Sequence, residues 1–329
     1  MKNINLKKIL AVILSLTMAF PLVACGSEEK EKGEDKLQIG IIQTAEHPSL
    51  NEINVAIRDR LAENLGEDKI QIDYKNALGD MSNINSISAK FVGDEKDLII
   101  AIATPAAQSA MAQTDEIPIV FSAVSSPESA GIEGDNITGT SDMIPVDRIF
   151  DLALKITPEI KTVGFIYNSG EANSCFVVEE AKELLSKRGI SFVEATITNT
   201  SELEQASVSL AQKCDAMFTP IDNTVASAMT VLSDVAKEQG KPLYVGADSL
   251  VFDGGLATVG INYTNLGKET ADIATEILNG KLPGEIPYKV MDEFDIILNA
   301  ETARAIGINF PEEVIDNAKV IVDKRIEMN

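Results

Sequence analysis

The chain predicts an α/β protein of two doubly wound parallel-sheet lobes around a ligand cleft, and three observations carry the prediction. Short apolar runs alternate with stretches of helical periodicity, and residues 98–103 and 163–167 are apolar throughout, as strands buried on both faces must be. The strand and helix order of the first half returns in the second, with a local echo between residues 102–111 and 218–229. Polar loops poor in cations follow strand after strand at the carboxyl end, where open α/β sheets bind ligands.

In chain order, residues 37–43 read as a strand, and 50–65 as a helix with Ile53, Ala56, Ile57, Leu61 and Leu65 on one face. Strand 69–77 and helix 82–92 follow. Strand 98–103 is stopped by Thr104-Pro105, which also opens a helix to Met111 because proline suits the first helical position. Strands 117–124 and 137–141 lead to helix 146–156. The second half runs strand 162–167, helix 176–188, strand 191–197, helix 202–213, strand 216–220, helix 224–238 and strand 243–246. Strand 256–262 and amphipathic helix 266–278, ended by Asn279-Gly280, come next, then a last strand at 294–298 before two terminal helices.

The amino terminus reads as an export signal. Lys2, Lys7 and Lys8 flank an apolar run from 9 to 20 that is too short to span a bilayer, and Leu22-Val23-Ala24-Cys25 looks like a bacterial lipobox. Cleavage before Cys25 would leave a lipid on its sulfur and a charged tether up to Lys36. It would remove three lysines and no acid, taking the formal charge from −23 to −26. Such a surface repels nucleic acid and anionic headgroups, so the membrane is reached through the lipid. Cys175 and Cys214 are expected to be buried free thiols, although their spacing does not exclude a disulfide. One histidine and no Cys-x-x-Cys make a metal site improbable.

Candidate ligand residues gather in the loops after the strands. They are Gln43 and His47; Thr104 and Ala106; Ser122 and Ser125; Asn168, Ser169, Asn173 and Ser174; Asp222 and Asn223; Asp248; and Asn262. Every arginine lies elsewhere. A carboxylate would therefore rest on helix N-termini and hydroxyls, with Thr104 and Ser174 at the helix starts, while Asp222 or Asp248 would meet an ammonium. Asp248 serves equally well as a helix cap. The expected ligand is a zwitterion or a neutral polar molecule, with an α-amino acid as the leading choice. His47 has no partner motif, and the chain has no G-x-S-x-G, Walker loop or G-x-G-x-x-G, so neither a catalytic residue nor a cofactor is expected.

Four segments, Ile-Ala-Thr-Pro-Ala-Ala-Gln at 102–108, Ile-Thr-Gly-Thr-Ser-Asp at 137–142, Tyr-Asn-Ser-Gly-Glu-Ala-Asn-Ser at 167–174 and Gly-Gly-Leu-Ala-Thr-Val-Gly-Ile-Asn-Tyr at 254–263, resemble a known family. It is the substrate-binding lipoproteins of bacterial ATP-driven importers, in the subgroup associated with tryptophan and tyrosine uptake. The resemblance implies a type I periplasmic-binding-protein fold, with lobe 1 formed by 37–142 plus 256–283 and lobe 2 by 143–255 plus 284–329. It implies ligand contacts near Thr104, Ser125, Ser174, Asp222 and Asp248. It also implies a non-enzymatic carrier on the outer side of the membrane, serving ABC permease and ATPase subunits. With no Trp in the chain, Phe121, Tyr167 and Phe252 would cover an aromatic ligand. The alternatives are an exported enzyme using Asp222 or Asp248 as an acid or base, a surface adhesin or sensory lipoprotein, or a carrier of a sugar, nucleoside or other small polar solute.

Overall fold

The computed structural model describes residues 36–323. The expected leader, Cys25 and all of the tether but Lys36 lie outside the described residues. Two sheets organise the rest. In the first, β1 (Leu37–Gln43), β2 (Ile70–Asn76), β3 (Leu98–Ile102), β4 (Ile119–Ser122), β5 (Ile137–Ser141) and β11 (Lys289–Val290) are all parallel, in the order β11-β5-β4-β3-β1-β2. The second sheet contains β6 (Thr162–Asn168), β7 (Ser191–Ile197), β8 (Ala216–Thr219), β9 (Leu243–Val245), β10 (Ala257–Gly260), β12 (Asp295–Asn299) and β13 (Ala318–Val322). Its order is β13-β12-β10-β9-β8-β6-β7, and only the β10–β12 pair is antiparallel. β3 and β4 are buried along their whole length, which accounts for their uninterrupted apolar character.

Helices α1 (Pro48–Leu65), α2 (Met81–Gly93), α3 (Thr104–Gln113) and α10 (Tyr263–Leu278) cover the first sheet. The second carries α4 (Val146–Ile156), α5 (Ala172–Lys187), α6 (Leu203–Ala211), α7 (Asn223–Ala226), α8 (Met229–Glu238), α9 (Asp248–Phe252), α11 (Ala300–Ala305) and α12 (Glu312–Asp316). The chain crosses between lobes three times, after β5, after β10 and after β11. α10 returns to the first lobe because it packs tightly on α1: a Cβ on Gly267 would stand 2.8 Å from both the Ile53 carbonyl oxygen and the Ala56 methyl. Arg60 and Asp272 tie the same pair together at 2.8 Å.

The lobe boundaries differ from those expected. β10 belongs to the second sheet, where it pairs with β9 and β12, so the segment returning to the first lobe starts after it, not at 256. That segment ends beyond 283, since β11 pairs with β5. A lone apolar run does not tell which of two similar sheets it will complete. Three local expectations also change. Helix 224–238 is two helices broken at Ala228 (φ −134, ψ 28), α5 starts at Ala172 and not at 176, and a further edge strand, β13, follows the two terminal helices. Cys175 and Cys214 are both free, but only Cys214 is buried as expected; Cys175, on the first turn of α5, is half-buried.

Candidate ligand-binding site

The carboxyl ends of both sheets and the helix starts that follow them face each other across the cleft. Ser49, Ala103, Ala123, Ser125, Asp142 and Tyr263 from the first lobe meet Asn173, Ile221 and Asn223 from the second around an enclosed cavity of about 10 Å³. That is room for one water, so a larger ligand requires the lobes to part. Outside it, a groove of about 590 Å³ runs between Thr44, Gly79 and Pro105 on one side and Ser169, Glu171 and Thr200 on the other. The cavity walls are strained. Ala103 (φ 75) and Ala123 (φ 58) are two of the four non-glycine residues with positive φ among those described, and strain of this kind collects where a structure holds backbone for a ligand.

The acid at this cavity is Asp142, the residue after β5. It is 1% exposed, and its Oδ1 accepts a hydrogen bond from Ser125 Oγ at 2.9 Å. Burial raises its pKa to about 6, opposed only by the Ser125 bond and its own backbone, with no cation contributing. Polar atoms nearby are also short of partners: Thr104 Oγ1, Asn173 Oδ1, the Tyr263 hydroxyl and His47 Nδ1 are buried with no hydrogen bond among the described residues.

Asp222 is also fully buried, yet it is spent on its own lobe. Its Oδ2 accepts from Asn168 N and Ser174 Oγ, both at 2.7 Å, and its Oδ1 caps α7 through Val225 N at 2.8 Å. Burial, and then the charge of Glu171, push its pKa up. Glu171 in turn accepts five hydrogen bonds, from the backbone N of Asn223 and Thr224, Asn223 Nδ2, Thr224 Oγ1 and, at 3.5 Å, Asn173 Nδ2. Among the described residues, two side-chain hydrogen bonds bridge the lobes. His47 Nε2 lies 3.2 Å from Asn223 Oδ1, and the Ser49 and Ser249 hydroxyls are 2.5 Å apart.

Of the residues picked from sequence, Ser125, Asn173 and Asn223 line the cavity, with Thr104 and His47 beside residues that do. Asn168 and Ser169 line the outer groove. The others are engaged elsewhere. Gln43 binds Ala45 O and Tyr74, Ser122 binds Thr270 of α10, Ala106 packs in the core behind β3, and Asn262 is exposed and caps α10. Ser174 lies inside the first turn of α5, bonded to Asp222, and is not its cap. Asp248 starts α9, accepts from its neighbour Ser249 N and has its pKa raised to about 6 by burial, with Glu52 adding to the shift. Ser49, Asp142 and Tyr263 are cavity residues that the sequence did not mark. Of these, Asp142 had the clearest signal, as an acid at the carboxyl end of an apolar strand. Phe121 packs at a tilt against Tyr288, Tyr167 donates to Glu194, Phe252 is 51% exposed, and none of the three lines the cavity.

Two similar α/β lobes, crossed three times by the chain and closing on a buried polar cavity, make this a two-lobed solute-binding protein. Residues 38–322 match the ABC transporter substrate binding proteins, and the chain belongs to that family. It is 38% identical to a tyrosine-binding protein of Clostridioides difficile, over 97% of each chain. Among solved structures it resembles a Streptococcus pneumonia ABC domain in complex with L-Trp (34% identity, TM-score 0.85, 88% of this chain and 100% of that one). It also resembles the ligand-free, open structure of a substrate-binding protein with adhesive properties from Clostridium difficile (39% identity, TM-score 0.66, 87% and 99%).

Proposed function

We propose that the protein binds a free aromatic amino acid between its lobes and presents it unchanged to the permease and ATPase of an ABC importer, held at the outer membrane face by acylated Cys25. The observation that carries the amino-acid reading is Asp142, a buried carboxylate at the interlobe cavity whose charge no cation among the described residues offsets. An α-ammonium completes that site with a charge-assisted hydrogen bond. The ligand carboxylate is served by backbone N–H groups in the first turns of α1, α5 and α10, which reach the cavity at Ser49, Asn173 and Tyr263. Tyr263 is the one aromatic side chain among the cavity residues.

The relatives support an aromatic side chain, since one is named for tyrosine and another holds L-Trp. The TM-scores support closure around the ligand. At comparable identity and coverage, the fold superposes better on the L-Trp complex than on the ligand-free, open form, which supports a reading in which the lobes close. A thermal-shift screen of residues 26–329 tests the reading. At a hundred times its dissociation constant, a ligand adds about 2.7 kcal/mol to stability. Tryptophan, tyrosine or phenylalanine should stabilise and be recovered unchanged from the denatured protein. Stabilisation by a sugar or nucleoside alone would overturn the ligand class, and turnover would overturn the carrier. Cys25→Ala should release the protein from the membrane fraction, because the tether offers no apolar run.

A further inference from the structure

We propose that His47 reads a hydrogen-bond donor on the ligand: Glu171 and Asn223, across the cleft, fix its ring as the Nε2–H tautomer, leaving Nδ1 as a bare acceptor. This rests on the amino-acid reading above. The Glu171 carboxylate is an acceptor to five donor groups around it. Asn223 gives it Nδ2 at 2.6 Å, and only a donor can face a carboxylate there, so Asn223 Oδ1 must be the atom turned to His47. Two acceptors do not bond, so the hydrogen of this pair sits on His47 Nε2.

Burial pulls the His47 pKa down to about 4, so the ring is neutral near pH 7 and carries a single N–H. Nδ1 is then a lone pair, buried on a residue only 4% exposed, with no donor among the described residues. The ring precedes the first turn of α1, where Ser49 and Leu50 line the cavity, and it touches Asn223, which lines it from the other lobe. An unpaired acceptor here is a selective element. It repels the ligand carboxylate and accepts an N–H or O–H, from either the α-ammonium or a side-chain donor.

The test uses two substitutions that each keep one half of the imidazole. In His47→Gln the amide reaches the place of Nε2 and retains the contact to Asn223 but leaves no acceptor at Nδ1. His47→Asn keeps an oxygen near Nδ1 and loses the interlobe contact. Calorimetry with L-tyrosine should show about tenfold weaker binding, or more, for His47→Gln, and a change within about threefold for His47→Asn. Wild-type affinity in His47→Gln, or equal loss in both variants, would overturn the proposal in favour of a purely structural contact. L-phenylalanine separates the donors: a matching loss assigns the ammonium, and no loss assigns the phenol. His47 is the chain's single histidine, so ¹⁵N-histidine labelling of the untagged protein gives one pair of ring signals. They should report the Nε2–H tautomer without ligand, with a shift confined mainly to Nδ1 on adding L-tyrosine. The opposite tautomer would overturn the assignment. Absence of any amino-acid binding by wild type would overturn the ligand class and the acceptor role with it, while the tautomer would still be decided by the spectrum.

Discussion

Asp142 and Asp222 occupy similar places, one in each lobe, each beyond the carboxyl end of a sheet strand and each fully buried. Asp222 receives three hydrogen bonds from its own lobe, whereas Asp142 receives one side-chain bond, from Ser125. Burial raises both pKa values, so the difference lies not in desolvation but in what the surrounding lobe supplies. A buried acid saturated by backbone N–H groups is part of the fold. One held only by a neutral side-chain donor and its own backbone is costly in its charged form, and a cation that completes it would offset that cost. The second lobe therefore uses its acid to hold β6, α5 and α7 together, and the first leaves its acid at the cavity, where the proposed ligand ammonium would meet it.

The largest expected effects come from exchanging these roles. Asp142→Asn should weaken amino-acid binding about a hundredfold, the loss of roughly 3 kcal/mol of a buried charged contact, measured by calorimetry. The same variant should be more stable than wild type without ligand at pH 7.5, by at most about 3 kcal/mol for a shift of about two pKa units, seen as a higher Tm. Asp222→Ala should do the reverse, losing about 2–4 kcal/mol in urea unfolding because Asn168 N, Ser174 Oγ and Val225 N lose their acceptor. If Asp142→Asn destabilises, or Asp222→Ala does not, the division of labour is wrong.

A smaller effect separates the cavity groups by pH. Asp142 has a folded pKa raised to about 6, so its burial penalty applies above that value and fades as pH falls toward the unfolded value near 4; this group adds stability on acidification. His47 has a folded pKa lowered to about 4, so its contribution is present above about 6.5 and is lost as pH falls through that window. Relative to wild type, His47→Gln should gain Tm between pH 6.5 and 4.5, and Asp142→Asn should lose it. Binding that needs ionised Asp142 should weaken below pH 6, approaching about tenfold per pH unit. A flat binding profile from pH 7 to 5 would separate Asp142 from the ligand.

The succession of strands and helices was legible because burial on both faces of a parallel sheet writes itself into residues such as 98–102, and the helix faces into Ile53, Ile57 and Leu61. Which lobe β10 completes was not, since its four residues fit either sheet, and β13 was hidden because an edge strand is half exposed. Ser125, Asn173 and Asn223 could be picked as polar residues after strands. Asp222 and Ser174 fitted the same rule but are bonded to each other within their own lobe; a cap and a ligand contact draw on the same residue types, and only the partner distinguishes them. Asp142 was passed over for a related reason. Its meaning lies in the cation that is not beside it, which becomes visible only when the lobes are seen in three dimensions.

The smallest prediction concerns the backbone beside these acids. Ala103 sits at φ 75 and ψ 161, a region that only glycine occupies without strain, and an alanine there costs of order 1–3 kcal/mol. The surroundings hold it in place: its N–H donates to Ser122 O at 2.8 Å, and its carbonyl accepts from Ala107 N in the first turn of α3. The echo in the other lobe needs no such residue, since Asp222 starts α7 from an ordinary extended conformation at φ −111. Ala103→Gly should therefore raise stability, by about 1 kcal/mol once the greater chain entropy of glycine in the unfolded state is subtracted from the relieved strain. Urea unfolding reads this directly. No gain, or a loss, would mean that the methyl group packs at the cavity wall firmly enough to offset the strain, and the first lobe would then be holding its backbone for packing and not for a ligand.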